Sequence, residues 1–111
     1  MKYSEQQTKG ISTSAYQEVM IISTRRIESL SLLIKNTGAT NSLTYKVYAF
    51  YDKNSTTSES YNYVEFVPET TIVKESNDEI NITATAYDKV IVLIKEVTAS
   101  TDFEIQVIKK Y

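Results

Sequence analysis

Apolar residues recur at every second position through long stretches of this chain. Leu30, Leu32 and Ile34 share one side, with Ser29 and Ser31 on the other. Leu43, Tyr45 and Val47 alternate with Thr44 and Lys46, and Phe103, Ile105 and Val107 alternate with Glu104 and Gln106. Successive side chains of a strand point to opposite faces, so this is the pattern of strands with one face buried. No stretch keeps a helical period. Thr, Val, Ile and Tyr are abundant, and branched or aromatic residues suit a pleated surface. The reading is all-β, with strands near 17–23, 26–35, 43–51, 61–67, 70–74, 79–85, 87–95 and 102–110.

Between these strands the turn chemistry is local. Residues 36–41, Asn-Thr-Gly-Ala-Thr-Asn, form a turn cluster in which Gly38 is the natural site for a positive φ. Residues 53–60 read as a polar exposed loop. Pro68 separates two short strands and suits a sheet edge, where its missing N–H does no harm. Residues 1–10 carry no apolar pattern and read as a flexible arm. With 111 residues in all, the remaining 11–111 make one domain.

An internal repeat lies across this pattern. A shift of sixty residues lays 20–51 over 80–111 without a gap. Leu33-Ile34-Lys35 meets Leu93-Ile94-Lys95, while Ala39, Val47 and Tyr51 meet Ala99, Val107 and Tyr111. Met20, Ile22, Leu30, Leu32 and Leu43 fall on Ile80, Ile82, Val90, Val92 and Phe103. A true duplication and a shared three-strand layout both account for the match. Each copy reads as a three-stranded unit with one apolar face, and two such units pack face to face about 10 Å apart. The expected core is Met20, Ile22, Leu30, Leu32, Ile34, Leu43, Tyr45 and Val47 against Ile80, Ile82, Val90, Val92, Ile94, Phe103, Ile105 and Val107. The fold class is a single β-sandwich of seven or eight mostly antiparallel strands, with a jelly roll as one arrangement.

The repeat also supplies a control for the outward positions. Where the first copy has Val19, Ile21, Tyr48 and Phe50, the second has Glu79, Asn81, Ile108 and Lys110. With Leu33, the first copy carries more outward apolar groups than solubility asks for. Val19, Ile21, Leu33, Tyr48 and Phe50 are therefore candidate interface residues, because contiguous apolar patches mark contact surfaces. The alternative is a cover from within the chain, by the arm or by residues 61–66. Tyr61 and Tyr63, on one side of their strand, are candidates for stacking on a sugar ring. Tyrosine as an ordinary strand residue is the competing reading.

Other functions lack their parts. The chain has no His and no Cys, hence no imidazole base, thiolate nucleophile or usual transition-metal site. Two glycines cannot write a P-loop or a dinucleotide fingerprint. Twelve basic and fourteen acidic residues are intermixed, without the basic face that nucleic acid requires. The longest apolar run, Val90–Ile94, is far too short to cross a membrane, and the N-terminus lacks the apolar segment of a secretion signal. Glu65 and Glu69 flank Pro68, and Glu75, Asp78 and Glu79 surround Asn77. These read as turn and surface carboxylates rather than a glycosidase pair or a calcium loop. The expectation is a non-enzymatic protein without cofactor or metal, whose partner is another protein or a second copy, with a glycan as the alternative.

The run Ile27-Glu28-Ser29-Leu30-Ser31-Leu32-Leu33-Ile34-Lys35-Asn36-Thr37-Gly38, followed by Leu43-Thr44-Tyr45-Lys46-Val47, resembles small virion proteins of tailed phages and related viruses. Tyr87-Asp88-Lys89-Val90 matches a strand of the same group. The resemblance spans roughly residues 12–111. It implies a capsid-decorating or other structural β-sandwich protein, made in the host cytoplasm and located in the virion. It further implies a homo-oligomer or a subunit docked on a shell, with no cofactor and no catalytic residues to carry over.

Overall fold

The computed structural model describes residues 2–51, 63–83 and 87–111. Eight strands run in order: β1 (Tyr3–Ile11), β2 (Gln17–Ser23), β3 (Ser29–Asn36), β4 (Leu43–Phe50), β5 (Tyr63–Ile72), β6 (Ser76–Thr83), β7 (Lys89–Glu96) and β8 (Asp102–Lys110). They form two four-stranded sheets, β1-β8-β3-β6 and β2-β7-β4-β5, and every neighbouring pair is antiparallel. The molecule is a β-sandwich with the strand order of a jelly roll. Its core carries the alternation read from the sequence: fifteen of the sixteen expected residues are buried, and Ile80 packs half-buried against them. Ile27, Ala49 and Ile72 complete it.

The repeat does not divide the sandwich as expected. Each copy was to supply one sheet, but consecutive strands cross between layers, so the copies interleave. β3 lies between β8 and β6, and its counterpart β7 lies between β4 and β2. Adding or subtracting sixty exchanges the two sheets, pair for pair except where the bulges of β2 and β5 shift the register. Leu30↔Lys109 becomes Val90↔Ala49, and Leu30↔Ile82 becomes Val90↔Ile22. The equivalence extends beyond residue 20, since Tyr3↔Lys110 becomes Tyr63↔Phe50. β1 and β5 are thus a fourth equivalent pair.

Residues 1–10 were expected as an arm, but from Tyr3 onward they belong to strand β1, which pairs with β8 along all nine of its residues, Tyr3–Ile11. β1 is polar on both faces and half-exposed or exposed throughout, so no apolar alternation marks it. Gly10 lies opposite Phe103, and a Cβ there would stand 2.8 Å from the ring's tip, so glycine gives the ring its room. β5 runs through Pro68 instead of breaking there. Register shifts on either side of Val47 absorb the proline, and β5 is an edge, where its missing N–H is tolerated.

The turns differ in one respect. No glycine has a positive φ; Arg26 (62°) and Glu75 (54°) hold the left-handed positions. Gly38 is required for space, because a Cβ would collide with Thr101 Oγ1. That hydroxyl donates to Asn36 Oδ1 at 2.8 Å, which also accepts from Gly38 N–H at 3.1 Å. Asn36 Nδ2 donates to the carbonyls of Asn41 and Ile72. This buried amide is fully satisfied and ties three connections together.

Candidate functional site

The two outer faces follow from the register. Alternate residues of the β1-β8-β3-β6 sheet place Glu5, Gln7, Lys9, Ser29, Ser31, Lys35, Asn81, Glu104 and Gln106 outward, together with Leu33 and Ile108 and, at the ends of β1, Tyr3 and Ile11, so the face is mainly polar with scattered apolar groups. Ser31 Oγ donates to Asn81 Oδ1 across β3 and β6 at 2.8 Å. The β2-β7-β4-β5 sheet places Ile21, Ile91, Leu93, Tyr48, Phe50 and Tyr63 outward. There Phe50, Ile91 and Leu93 form a second buried cluster, separate from the main core, with Tyr16, Tyr48 and Tyr63 packed on it. Apolar surface on this side is removed from water by aromatic rings, not by a second layer of strands.

Tyr63 lies directly over the cluster. Its ring stacks on Tyr48 at 4.4 Å between centroids and tilts against Phe50 at 5.3 Å. Burial first, then Tyr48, pushes the Tyr63 phenol above its ordinary pKa. Tyr16 reaches in from the β1–β2 connection. Its hydroxyl donates to Glu69 Oε1 at 2.6 Å, and the ammonium groups of Lys46 and Lys95 stand 4.6 and 4.8 Å from its ring centroid. Such approaches are attractive because the ring face is electron-rich. Lys95 also pairs with Glu69 at 3.4 Å. Burial first and the Glu69 bond second raise the Tyr16 phenol, while the Tyr16 bond and then Lys95 lower the Glu69 carboxyl.

The expected interface residues do not all share this face. Ile21 does, 57% exposed opposite Ile91, and half-buried Tyr48 does. Phe50 is outward but wholly covered, beneath Tyr63 and with Lys89 Nζ 4.8 Å from its ring. Val19 is the extra residue of a bulge between Glu18 and Met20 and packs against the main core. Leu33 belongs to the opposite sheet, between Glu79 and Gln106, because the copies interleave. Tyr63 is outward but its ring lies flat on its own protein's aromatics, and Tyr61 lies outside the described residues. Tyr16 was not anticipated, since a lone tyrosine in a connection gives no periodic signal.

The carboxylates stand apart. Alternation along β6 splits Asn77 and Glu79 from Asp78, which turns inward and accepts from Tyr45 Oη at 2.9 Å across the sandwich. Burial and that bond push the Tyr45 phenol up to about 12. Among the described residues, no three acidic groups converge as they would around a metal ion.

No protein-family model and no curated protein matches the sequence. Solved structures share the fold. A Bacillus endospore appendage protein, of a family that forms disulfide-linked pili, superposes with a TM-score of 0.58 at 12% identity, covering 98% of this chain and 87% of its own. The SPBc2 prophage-derived protein YomS gives 0.58 at 14% identity, over 97% of this chain and 96% of its own. The decameric BFDV capsid protein gives 0.53 at 6% identity, over 97% and 94%. At such identities the likeness is one of fold, and a sandwich of this kind hosts many unrelated functions.

Proposed function

We propose that this chain is a non-enzymatic assembly protein, a capsid-decorating or accessory component of a virion, held in place through the outer face of its β2-β7-β4-β5 sheet. One observation carries the reading: on this face apolar and aromatic residues gather into one cluster, whereas on the mainly polar outer face of the other sheet no such cluster forms among the described residues. The tyrosine layer covers Phe50 but leaves Ile21 and part of Tyr48 accessible. Amphipathic rings around an exposed aliphatic group are the composition of a protein–protein contact. The fold's occurrence in a pilus protein, a prophage-derived protein and a decameric capsid protein supports the same reading. Val19 and Leu33 are not part of the proposed contact.

Ile21→Glu and Tyr48→Glu test it, read by light scattering across a concentration range. Both variants are expected to lose the high-mass species of the wild-type chain. Ile21→Glu should keep the unfolding free energy within about 0.5 kcal/mol, as surface changes do, whereas Tyr48→Glu also gives up its stack on Tyr63 and should cost about 1–2 kcal/mol while staying folded. Unchanged assembly in both would remove this face from the function. Phe50→Glu is unsuitable here, because burying a charge unfolds the sheet rather than reporting on its surface.

A further inference from the structure

Among the described residues, four strands are sheet edges: β1 and β6 on one sheet, β5 and β2 on the other. An open edge presents unpaired backbone groups and accepts another strand unless proline, a bulge or charge blunts it. Three of the four edges are blunted. β5 carries Pro68 and two register shifts, and β2 carries the bulge at Val19. β6 follows the left-handed Glu75 and holds Asp78 and Glu79.

β1 has neither proline nor bulge, and its two charges are of opposite sign, unlike the two acids of β6. It keeps unbroken register with β8 from Tyr3↔Lys110 to Ile11↔Asp102, and it contains no proline. Its only charges are Glu5 and Lys9, and they stand at equal distances from Gln7, the middle residue of the strand.

We infer that β1 is a homodimerisation edge, at which two copies of this chain pair antiparallel about a two-fold axis through Gln7. A single eight-stranded sheet, β6-β3-β8-β1 continuing into its copy, is the product. In this register Glu5 faces the partner's Lys9, and the symmetry makes that ion pair twice. Tyr3 faces the partner's Ile11, and each is 62% exposed in the single chain. Ser4 faces the partner's Gly10, and Gln6 the partner's Thr8. All nine residues are paired and no charge is left opposite a like charge.

Other registers lose this match. A one-residue slip puts opposed side chains out of phase with the faces of the sheet. A two-residue slip sets Glu5 opposite glutamine or isoleucine. Parallel pairing sets Glu5 beside its own copy. Main-chain bonds supply the affinity in this mode of strand addition, and the side chains supply the register. The edge belongs to the sheet opposite the aromatic face, so the inference does not depend on that face being an interface.

Charge reversal tests it on the intact chain. Glu5→Lys and Lys9→Glu each turn two attractive cross-strand pairs into two repulsive ones, and each is expected to weaken dimerisation about tenfold or more. An equimolar mixture of the two variants restores complementarity and is expected to recover the wild-type dimer as a heterodimer. Both residues are exposed, so the folds are expected to stay intact by circular dichroism. Lys9 also faces Glu104 of its own chain, and Lys9→Gln, which makes no like-charge pair across β1 and β8, controls for that contact. Single variants that dimerise as the wild type does, or a mixture that stays monomeric, overturn the inference.

A second readout uses the absence of cysteine from the chain. Opposed residues of an antiparallel pair stand about 4.5–5.5 Å apart at Cα, within the reach of a disulfide. Gln7→Cys is therefore expected to oxidise to a covalent dimer much faster than Ser31→Cys on the middle of the same sheet. Equal rates overturn the inference. Ile21→Glu placed on the Gln7→Cys background leaves the rate unchanged, which separates a failure of this edge from a failure of the aromatic face.

Discussion

Lys110, Ser31 and Asn81 on the outside of one sheet stand where Phe50, Ile91 and Ile21 stand on the outside of the other. The inward positions of the same strands have not diverged in this way. Leu30, Leu32 and Ile34 correspond to Val90, Val92 and Ile94, all buried. The difference separates two kinds of constraint. The gap between sheets must be filled by apolar groups whichever copy a strand comes from, so its pattern follows from the fold. Nothing in the fold requires an apolar outer face, and apolar groups gathered there need a separate cause. In this molecule they have built a second small core with its own tyrosine cover.

The largest expected difference between equivalent positions is at residues 50 and 110. Phe50→Ala removes a ring that is wholly buried on the outside of its sheet, and is expected to cost about 3–5 kcal/mol. Lys110→Ala loses an exposed 3.8 Å ion pair with Glu28 and is expected to stay within about 0.5 kcal/mol. Urea unfolding of the two variants gives the comparison directly. Equal losses would mean that the aromatic layer adds nothing to stability.

A reciprocal exchange sharpens the same contrast at the sheet centres. Ile91→Ser takes a residue that is 1% exposed to the residue of its polar counterpart, with an expected cost of about 2–5 kcal/mol. Ser31→Ile gives up one hydrogen bond to Asn81 on an accessible face and should cost about 1 kcal/mol or less. Thermal or urea midpoints decide between this asymmetry and equal costs, and equal costs would mean that Ile91 is covered no better than Ser31.

Which of these features could be read in advance depends on where the information lies. β3, β4 and β8 alternate through most of their length, so their inward faces were legible from single residues, whereas β7 is apolar without a break from Val90 to Ile94 and its inward face was read from its match to β3. Alternation says which side of a strand is buried, but not which sheet the strand joins. Leu33 and Tyr48 were therefore grouped on one surface, although the crossing connections put them on opposite sides of the sandwich. β1 was invisible for a different reason. Its order comes from backbone pairing with β8, and a polar segment carries no side-chain signal for that. Pro68 was read correctly as an edge residue and incorrectly as a strand break, because a bulge can keep both the strand and the proline. Gly38 was placed correctly in a turn, yet its requirement is the room taken by Thr101, a residue distant in sequence.

The smallest expected effect concerns the tyrosine cover itself, at Tyr16 and its repeat counterpart Ser76. Tyr16 holds Glu69 by a 2.6 Å bond that is the main cause of the lowered carboxyl pKa, with Lys95 second. A carboxyl whose folded pKa lies below its unfolded value of about 4.3 adds stability above that pH. The contribution is lost as pH falls through the folded pKa. Tyr16→Phe leaves Lys95 in place but removes the main cause, so the Glu69 pKa rises towards its ordinary value. The variant should then be less stable than the wild type near about pH 6, with the gap narrowing towards about pH 2 as Glu69 is protonated in both states of both proteins. The effect is small because Glu69 is exposed to solvent. The Ser76 hydroxyl donates to the Lys74 carbonyl at 3.3 Å, within its own turn, so Ser76→Ala is expected to track the wild type at every pH. Urea midpoints of the three proteins across that range separate the cases. Parallel curves for Tyr16→Phe and the wild type would show that the bond to Glu69 does not hold the tyrosine over the sheet, leaving the two lysines against its ring to do so.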